Sequence, residues 1–339
     1  MRLKTPISNQ SVPLNTAVLL PCHNEGPVIA QVIRAFRAAL PEADIYVYDN
    51  NSTDDTTVNA LAVGAIVRRE SMQGKGHVVR RMFADVEADI YVLADGDGTY
   101  DANIAPRMID LLKNENLDMV VGTRAQENNP RSYRFGHVFG NRFLTATVGK
   151  LFRSRFHDIL SGYRVMSRRF VKSFPALASG FEIEAMLTIH TLDLRLPHAE
   201  VECAYFERQE STASKLNTLR DGTRILGTIM LLYKEFHPFR FFGYLSGLLV
   251  LTSLALGIPV VIEYLETGLV PRVPTAILAS GLMVLAGIGL TCGLILDSVS
   301  RERREIKRLH YQSFPAIQEV IAEGAARLGA SGTTPRTKP

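Results

Sequence analysis

The sequence has 339 residues, 38 Lys and Arg against 34 Asp and Glu, and a formal net charge of +4. With 46% hydrophobic and 21% charged residues it can build a packed core, which excludes a wholly disordered or collagen-like chain; the small net charge excludes a polyanion binder acting through bulk charge, so no nucleic-acid partner is expected. Cys22, Cys203 and Cys292 form no CxxC and predict neither a disulfide framework nor a zinc knuckle.

Residues 1–15 carry no apolar run and read as an N-terminal extension, not a signal peptide. From there, strand-like runs at 17–20, 44–48, 65–68, 89–94 and 118–122 alternate with helical patterns at 28–40, 54–63, 75–86 and 103–114. This order predicts an α/β fold with a doubly wound, largely parallel sheet, in which ligands bind beyond the carboxyl ends of the strands. The residues there read PCHNE (21–25), DNNSTDD (49–55) and DGDGTYD (95–101), so polar and acidic groups collect at one rim.

Between the second and third of these loops lies Gly74-Lys75-Gly76, just before a helical pattern, where a phosphate could use both a helix N-terminus and a lysine. It is not a Walker loop, because Gly76 follows the lysine. Asp95-Gly96-Asp97 places two carboxylates at i and i+2 on one side of extended backbone, with a glycine that admits a close ligand. That is a hard-cation site short of oxygens, suited to Mg²⁺ or Mn²⁺ completed by substrate phosphates and water. A solvated acidic turn is the plain alternative. DGDGT also fits the DxDxT loop of haloacid-dehalogenase-type phosphatases, but those carry it on the first strand and here it follows the fourth. The isolated histidines, His23, His77, His137, His157, His190 and His198, show no metal-ligand spacing.

Further along, residues 216–236 are amphipathic, with Leu219, Ile225, Ile229 and Leu232 against Arg220, Arg224 and Lys234, as suits a helix on an anionic bilayer; a packed soluble helix is the alternative. Residues 241–262 and 273–296 contain no charge, and at ~1.5 Å per residue each can cross a hydrocarbon core of ~30 Å. They predict a transmembrane hairpin, with Gly247, Gly257, Gly281, Gly287, Gly289 and Gly293 allowing close approach and Pro259 a tolerated kink. Lys234, Arg240, Arg301, Arg303, Arg304, Lys307 and Arg308 outside the hairpin, against Arg272 alone in its loop, predict cytoplasmic chain ends on an inner membrane. The expected organisation is an extension (1–15), a catalytic domain (16–215), a juxtamembrane helix (216–240), the hairpin (241–297), and a basic segment with a flexible tail (298–339) that holds a short helix at 316–328.

Taken together, LLPCHNEG, DNNSTDDT, GKGHVVR, LADGDGTYD, VGTR, DILSGYRVMSRR and FERQESTASKL resemble the family 2 glycosyltransferases of GT-A fold, and most of all the polyprenyl-phosphate hexose synthases of the dolichyl-phosphate mannose synthase type. The resemblance covers about residues 16–220. It implies a donor site at Pro21, Asn24, Glu25, Asp49, Asn50, Lys75, Gly76, Asp95, Gly96 and Asp97, with the metal on Asp95 and Asp97. Asn50 stands where relatives have a second Asp, which leaves the base, uracil or guanine, undecided. Thr99 stands where some have an amide metal ligand, leaving that place to Asp101 or water. For the acceptor phosphate the resemblance implies Arg124, Arg134, Ser161, Arg208 and Lys215, consistent with the bidentate match of guanidinium to phosphate. Asp97, Arg124 and Arg208 are the catalytic candidates.

The implied reaction is an inverting transfer of a sugar from a UDP- or GDP-sugar to a polyprenyl phosphate such as undecaprenyl phosphate, at the bilayer. The attacking phosphate has a second pKa of ~6 and is already ionised, so no strong base is required. Transfer to another lipid or glycan acceptor, and a membrane nucleotide-sugar sensor without turnover, are the other readings. Self-association of the helix pair into a homo-oligomer is an open expectation.

Overall fold

The computed structural model describes residues 14–124, 156–176, 183–206, 233–234 and 236–331. Contacts divide the chain into two units: Met1–Lys215 with Lys307–Pro339, and Leu216–Ile306.

The first unit is built on seven strands: β1 (Thr16–Cys22), β2 (Asp44–Asp49), β3 (Ile66–Arg69), β4 (Ile90–Leu93), β5 (Met119–Arg124), β6 (Arg164–Ser167) and β7 (His198–Cys203), in the order β3-β2-β1-β4-β6-β5-β7. Helices α1 (Gly26–Ala39), α2 (Thr56–Ala62), α3 (Lys75–Asp85) and α4 (Ala105–Asn114) join the first five strands, and α5 (Arg168–Ser173) and α6 (Ile183–Leu194) follow β6. The apolar runs become strands because helices cover both faces: Ile90, Tyr91, Val92 and Leu93 are all buried. Helix α1 turns Ile29, Val32, Ile33 and Phe36 inward at helical spacing, against Val18, Leu20 and Val92.

All pairings are parallel except those of β6, which runs antiparallel between β4 and β5. Its first residue, Arg164, is in register with Leu93 and Val121, so the loop entering β6 arrives at the rim where β4 and β5 end. That reversal brings residues 158–163 to the site.

Next to this loop, the buried Tyr163 ring packs edge-on to Phe36 at 6.1 Å and beside Tyr100 at 5.3 Å. Its hydroxyl has no hydrogen-bond partner among the described residues. Burial pushes its ionisation far above the ordinary tyrosine range. Tyr163→Phe keeps the ring contacts and removes a buried unpaired polar group, so a gain of about 1 kcal/mol is expected, read as a higher midpoint in thermal unfolding.

In the second unit, α7 (Pro238–Thr267) and α8 (Val273–Gln312) are long and apolar enough to cross a membrane. The helices outrun the uncharged stretches because backbone hydrogen bonding continues into polar flanks. Gly257, Gly289 and Gly293 lie at the helix contact: a Cβ on Gly289 would meet Ser246 Oγ at 2.7 Å and one on Gly293 would meet Phe242 Cβ at 2.9 Å. Gly247, Gly281 and Gly287 have no atom within 4 Å of such a Cβ. Ser253 adds a 2.7 Å hydrogen bond to the Ala279 carbonyl.

From Lys307, in the last turns of α8, the chain belongs to the first unit. Tyr311 donates to Asp118 at 2.7 Å beneath the Arg169 guanidinium, which is 4.7 Å from its ring. Helix α9 (Ile317–Ser331) buries Ile317 in the main core, and Glu319 accepts from the Ala316 N–H at 2.9 Å as an N-terminal cap. Helix α9 stands where the short helix at 316–328 is expected, with Ile317 and Ile321 packed against the core. The amphipathic stretch 216–232 lies outside the described residues.

Candidate active site

The rim is assembled from loops stitched to one another. Asn24, with a left-handed φ of 57°, accepts from Thr53 N at 2.8 Å, and its own N–H donates to Ser52 Oγ at 2.9 Å. The Glu25 and Gly26 N–H groups donate to Thr56 Oγ1 and Asp54 Oδ2, both at 2.9 Å. These bonds fix Pro21, at the end of β1, and Asn24 and Glu25 beside Asp49, which ends β2 and accepts from Ser52 N at 3.2 Å.

Asn50 is 4% exposed and its amide is committed to backbone: it donates to the Glu70 and Met72 carbonyls at 2.9 and 2.8 Å and accepts from Gly74 N at 2.8 Å. It braces the loop that launches α3. Gly74 in that loop has φ 131° and ψ 137°, a backbone state closed to other residues. Lys75 and the buried Gly76 follow as the first turn of α3.

From there Lys75 reaches across to Asp95, with which it makes a close ion pair, and to Glu184 at 2.5 Å. Burial alone would pull its ammonium down, but the two carboxylates hold it well above the ordinary lysine range. Asp97 Oδ1 accepts from Thr99 N at 3.1 Å and Thr99 Oγ1 at 2.7 Å, so Thr99 orients the second carboxylate. Asp101 caps the following 3₁₀ turn, accepting from Asn103 N at 2.9 Å. Gly96 is packed so closely on Cys22 Sγ that a Cβ would overlap it. Burial and the neighbouring acids Glu25, Asp49, Asp95 and Asp97 push the Cys22 thiol far up, leaving it inert.

The residues fit a divalent ion of the kind that borrows ligands. Asp95 and Asp97 offer two hard oxygen donors, no third His, Cys, Asp or Glu is grouped with them among the described residues, and a lysine ammonium already stands against Asp95 as a cation. The floor is formed by Gly162, whose N–H donates to Tyr100 Oη at 2.9 Å and where a Cβ would come 2.7 Å from Asp95 Oδ2. Gly162→Ala should therefore push the Asp95 carboxylate aside; turnover that depends on this rim is expected to fall by about two orders of magnitude, with the thermal midpoint little changed.

On the far side of this floor, Arg124 at the end of β5 forms a fork with Asp158, Nε to Oδ2 at 2.7 Å and Nη2 to Oδ1 at 2.9 Å, and lies 5.6 Å from the Tyr205 ring centroid. Burial of Asp158 would raise its carboxyl, but the hydrogen bonds and charge of Arg124 hold it below the ordinary range. Tyr205 contacts Tyr100 at 5.3 Å, which links Arg124 to the Gly162 floor. Ser161 is fully buried and donates to the Gly122 carbonyl at 2.5 Å, so its hydroxyl hydrogen holds the loop to β5. Arg134, Arg208 and Lys215 lie outside the described residues.

One contributor escapes sequence reasoning. Glu184 sits in the apolar helix IEAMLTIHTLDL, where its only signal is an acid in a buried first turn. Arg164 closes the DILSGYR segment that the family resemblance marks, but its role is structural: it is fully buried and donates to the Ser161, Ile159 and Glu184 carbonyls at 3.0 Å and to Thr188 Oγ1 at 2.9 Å.

Comparison with known proteins places this geometry. Residues 17–174 match the model described as Glycosyl transferase family 2. The chain is 30% identical over 295 residues to the glycosyltransferase AglJ of Haloferax volcanii, covering 86% of this chain and 96% of that one. It is 23% identical over 181 residues to a dolichol-phosphate mannosyltransferase of Pyrococcus furiosus, covering 50% of this chain and 51% of that one. Among solved structures, glucosyl-3-phosphoglycerate synthase of Mycobacterium tuberculosis in complex with Mn²⁺, UDP-glucose and phosphoglyceric acid matches with a TM-score of 0.52 at 26% identity, over 65% of this chain and 79% of that one.

Proposed function

As this chain belongs to glycosyl transferase family 2 and its catalytic unit has the GT-A fold, we propose that it moves a hexose from a UDP- or GDP-sugar to a polyprenyl phosphate at the cytoplasmic face of a membrane. The observation that carries this reading is the juxtaposition of Asp95 and Asp97 with Arg124 across the Gly162–Tyr100–Tyr205 bridge. One side suits a nucleotide diphosphate and its cation, and the other suits a second phosphate. The two apolar helices and the dolichol-phosphate relative favour a lipid as the bearer of that phosphate.

In the proposed reaction, the rim around Asn24, Asp49 and the loop braced by Asn50 receives the nucleotide, and Lys75 faces the diphosphate. Asp95 and Asp97 would hold Mg²⁺ or Mn²⁺, which supplies charge to stabilise the departing diphosphate. Arg124 orients the acceptor: Asp158 takes two of its five N–H donors, and the fork fixes the plane of the guanidinium from which the rest project. Arg208 and Lys215 complete that cluster in the proposal. The acceptor oxygen is already anionic, so attack on the anomeric carbon with inversion needs alignment rather than proton removal.

The test is to incubate the detergent-solubilised protein with undecaprenyl phosphate, Mg²⁺ or Mn²⁺ and labelled UDP- and GDP-sugars. Label in the organic phase, lost on chelation, is expected for one donor. Transfer only to a small phosphorylated acceptor, of the kind bound in the mycobacterial structure, would replace the lipid half of the proposal. Donor binding with no transfer to any acceptor would favour a sensor.

A further inference from the structure

The Lys75 ammonium has two carboxylate partners that differ in kind. Asp95 lies at the rim with 28% of its side chain exposed, whereas Glu184 is buried with 6%. Glu184 is also fixed: its backbone carbonyl accepts from Arg164 Nη2 at 3.0 Å and from Thr188 Oγ1 at 3.2 Å, and it stands in the first turn of α6. Its Oε1 meets Lys75, while its Oε2 is buried with no hydrogen-bond partner among the described residues. A buried carboxylate oxygen left so is costly unless something arrives to use it. Lys75 rises on a flexible stem from the start of α3, and its ammonium can rotate its hydrogens toward either carboxylate.

A divalent ion on Asp95 and the ammonium cannot both sit at the same Asp95 oxygen, because two cations in a half-buried site repel strongly. One must leave that oxygen when the other binds. We propose that Lys75 is a resident placeholder for the divalent cation at Asp95, and that Glu184 is the positioning residue that keeps the displaced ammonium beside the site, on its second oxygen, in reach of the donor phosphates. This inference rests on the reading of Asp95 and Asp97 as the metal-binding pair. It makes the rim an ion exchanger: carboxylates whose charge would otherwise be uncompensated stay paired before the metal arrives, and the positive charge released remains available to the diphosphate.

The inference is tested by Mn²⁺ binding to the full chain in detergent, followed by electron paramagnetic resonance without any sugar donor. Lys75→Met removes the competitor and should tighten Mn²⁺ by about tenfold, the ordinary size of coupling between linked sites. Glu184→Gln leaves the ammonium with Asp95 as its one ion-pair partner among the described residues, so Mn²⁺ should bind about tenfold more weakly. Because Lys75→Met strands a buried carboxylate and can unfold the protein, the double variant Lys75→Met/Glu184→Gln, which removes both charges together, is the safeguard. It should bind Mn²⁺ more tightly than Glu184→Gln alone. A double variant as weak as Glu184→Gln, or a folded Lys75→Met with unchanged affinity, overturns the placeholder. Mn²⁺ binding that survives in Asp97→Asn would instead overturn the metal pair itself, a separate outcome.

Discussion

Asp97→Asn is expected to reduce sugar transfer by about a thousandfold or more, the scale set by removing a principal electrostatic contact to a departing group. The fold should not change. An amide oxygen can still accept from Thr99 N and Thr99 Oγ1, which now hold Asp97 Oδ1 at 3.1 and 2.7 Å. What disappears is one negative charge at a site that offers only two carboxylates to a cation and has no grouped third ligand among the described residues. Thermal unfolding with an unchanged midpoint, beside lost transfer of label into the organic phase, is the expected pair of results. Asp101→Asn provides the contrast, since Asp101 already caps the 3₁₀ turn through the Asn103 N–H at 2.9 Å. That variant should retain transfer within a few-fold; loss comparable to Asp97→Asn would place Asp101 on the metal. Substantial transfer by Asp97→Asn would remove the metal from the mechanism.

The parts of this site that were legible in the sequence are those where one local pattern decides the outcome. Continuous apolar runs mark β1, β2, β4 and β5, because strands covered on both faces have no polar side. The carboxylates of DGD therefore had to fall at a strand end. What was not legible depends on the reversal of β6. Its four residues, RVMS, begin with arginine and show no alternation, and β7 reads HAEVEC because Glu202 faces outward from an edge strand. Without β6 between β4 and β5, nothing in the sequence brings Gly162 against Asp95 or Asp158 against Arg124. Asn50 and Ser161 show the converse difficulty. Their residue types suit ligand contact, but their hydrogen-bonding groups hold loop backbone, and only the partners reveal it.

Arg164→Met should be strongly destabilising, by about 3 kcal/mol or more. Among the described residues the arginine has no carboxylate within hydrogen-bonding distance. Burial pulls its pKa down to about 10 against the opposing charges of Glu184 and Asp158, which still leaves it a cation at neutral pH. Its hydrogen bonds run to three main-chain carbonyls, of Ile159, Ser161 and Glu184, to Thr188 Oγ1 and, at 3.3 Å, to Met119 Sδ. Methionine fills similar space but donates nothing, so three buried carbonyls lose this donor at ~1–3 kcal/mol each where no other replaces it. Relief of the desolvated charge offsets part of that loss. A fall of about 6–12 °C in the thermal midpoint follows for a unit of this size, measured by circular dichroism. The same bonds hold the 159–162 loop, which sets Gly162 beneath Asp95, to the first turn of α6, which carries Glu184 to Lys75. Transfer should therefore fall even at temperatures where Arg164→Met remains folded, whereas Tyr163→Phe, one residue away on the same loop, should unfold later than the parent protein. If Arg164→Met were as stable as the parent, the loop would be held by its other bonds, Ser161 to Gly122 and Gly162 to Tyr100, and the guanidinium would have no structural necessity in the fold.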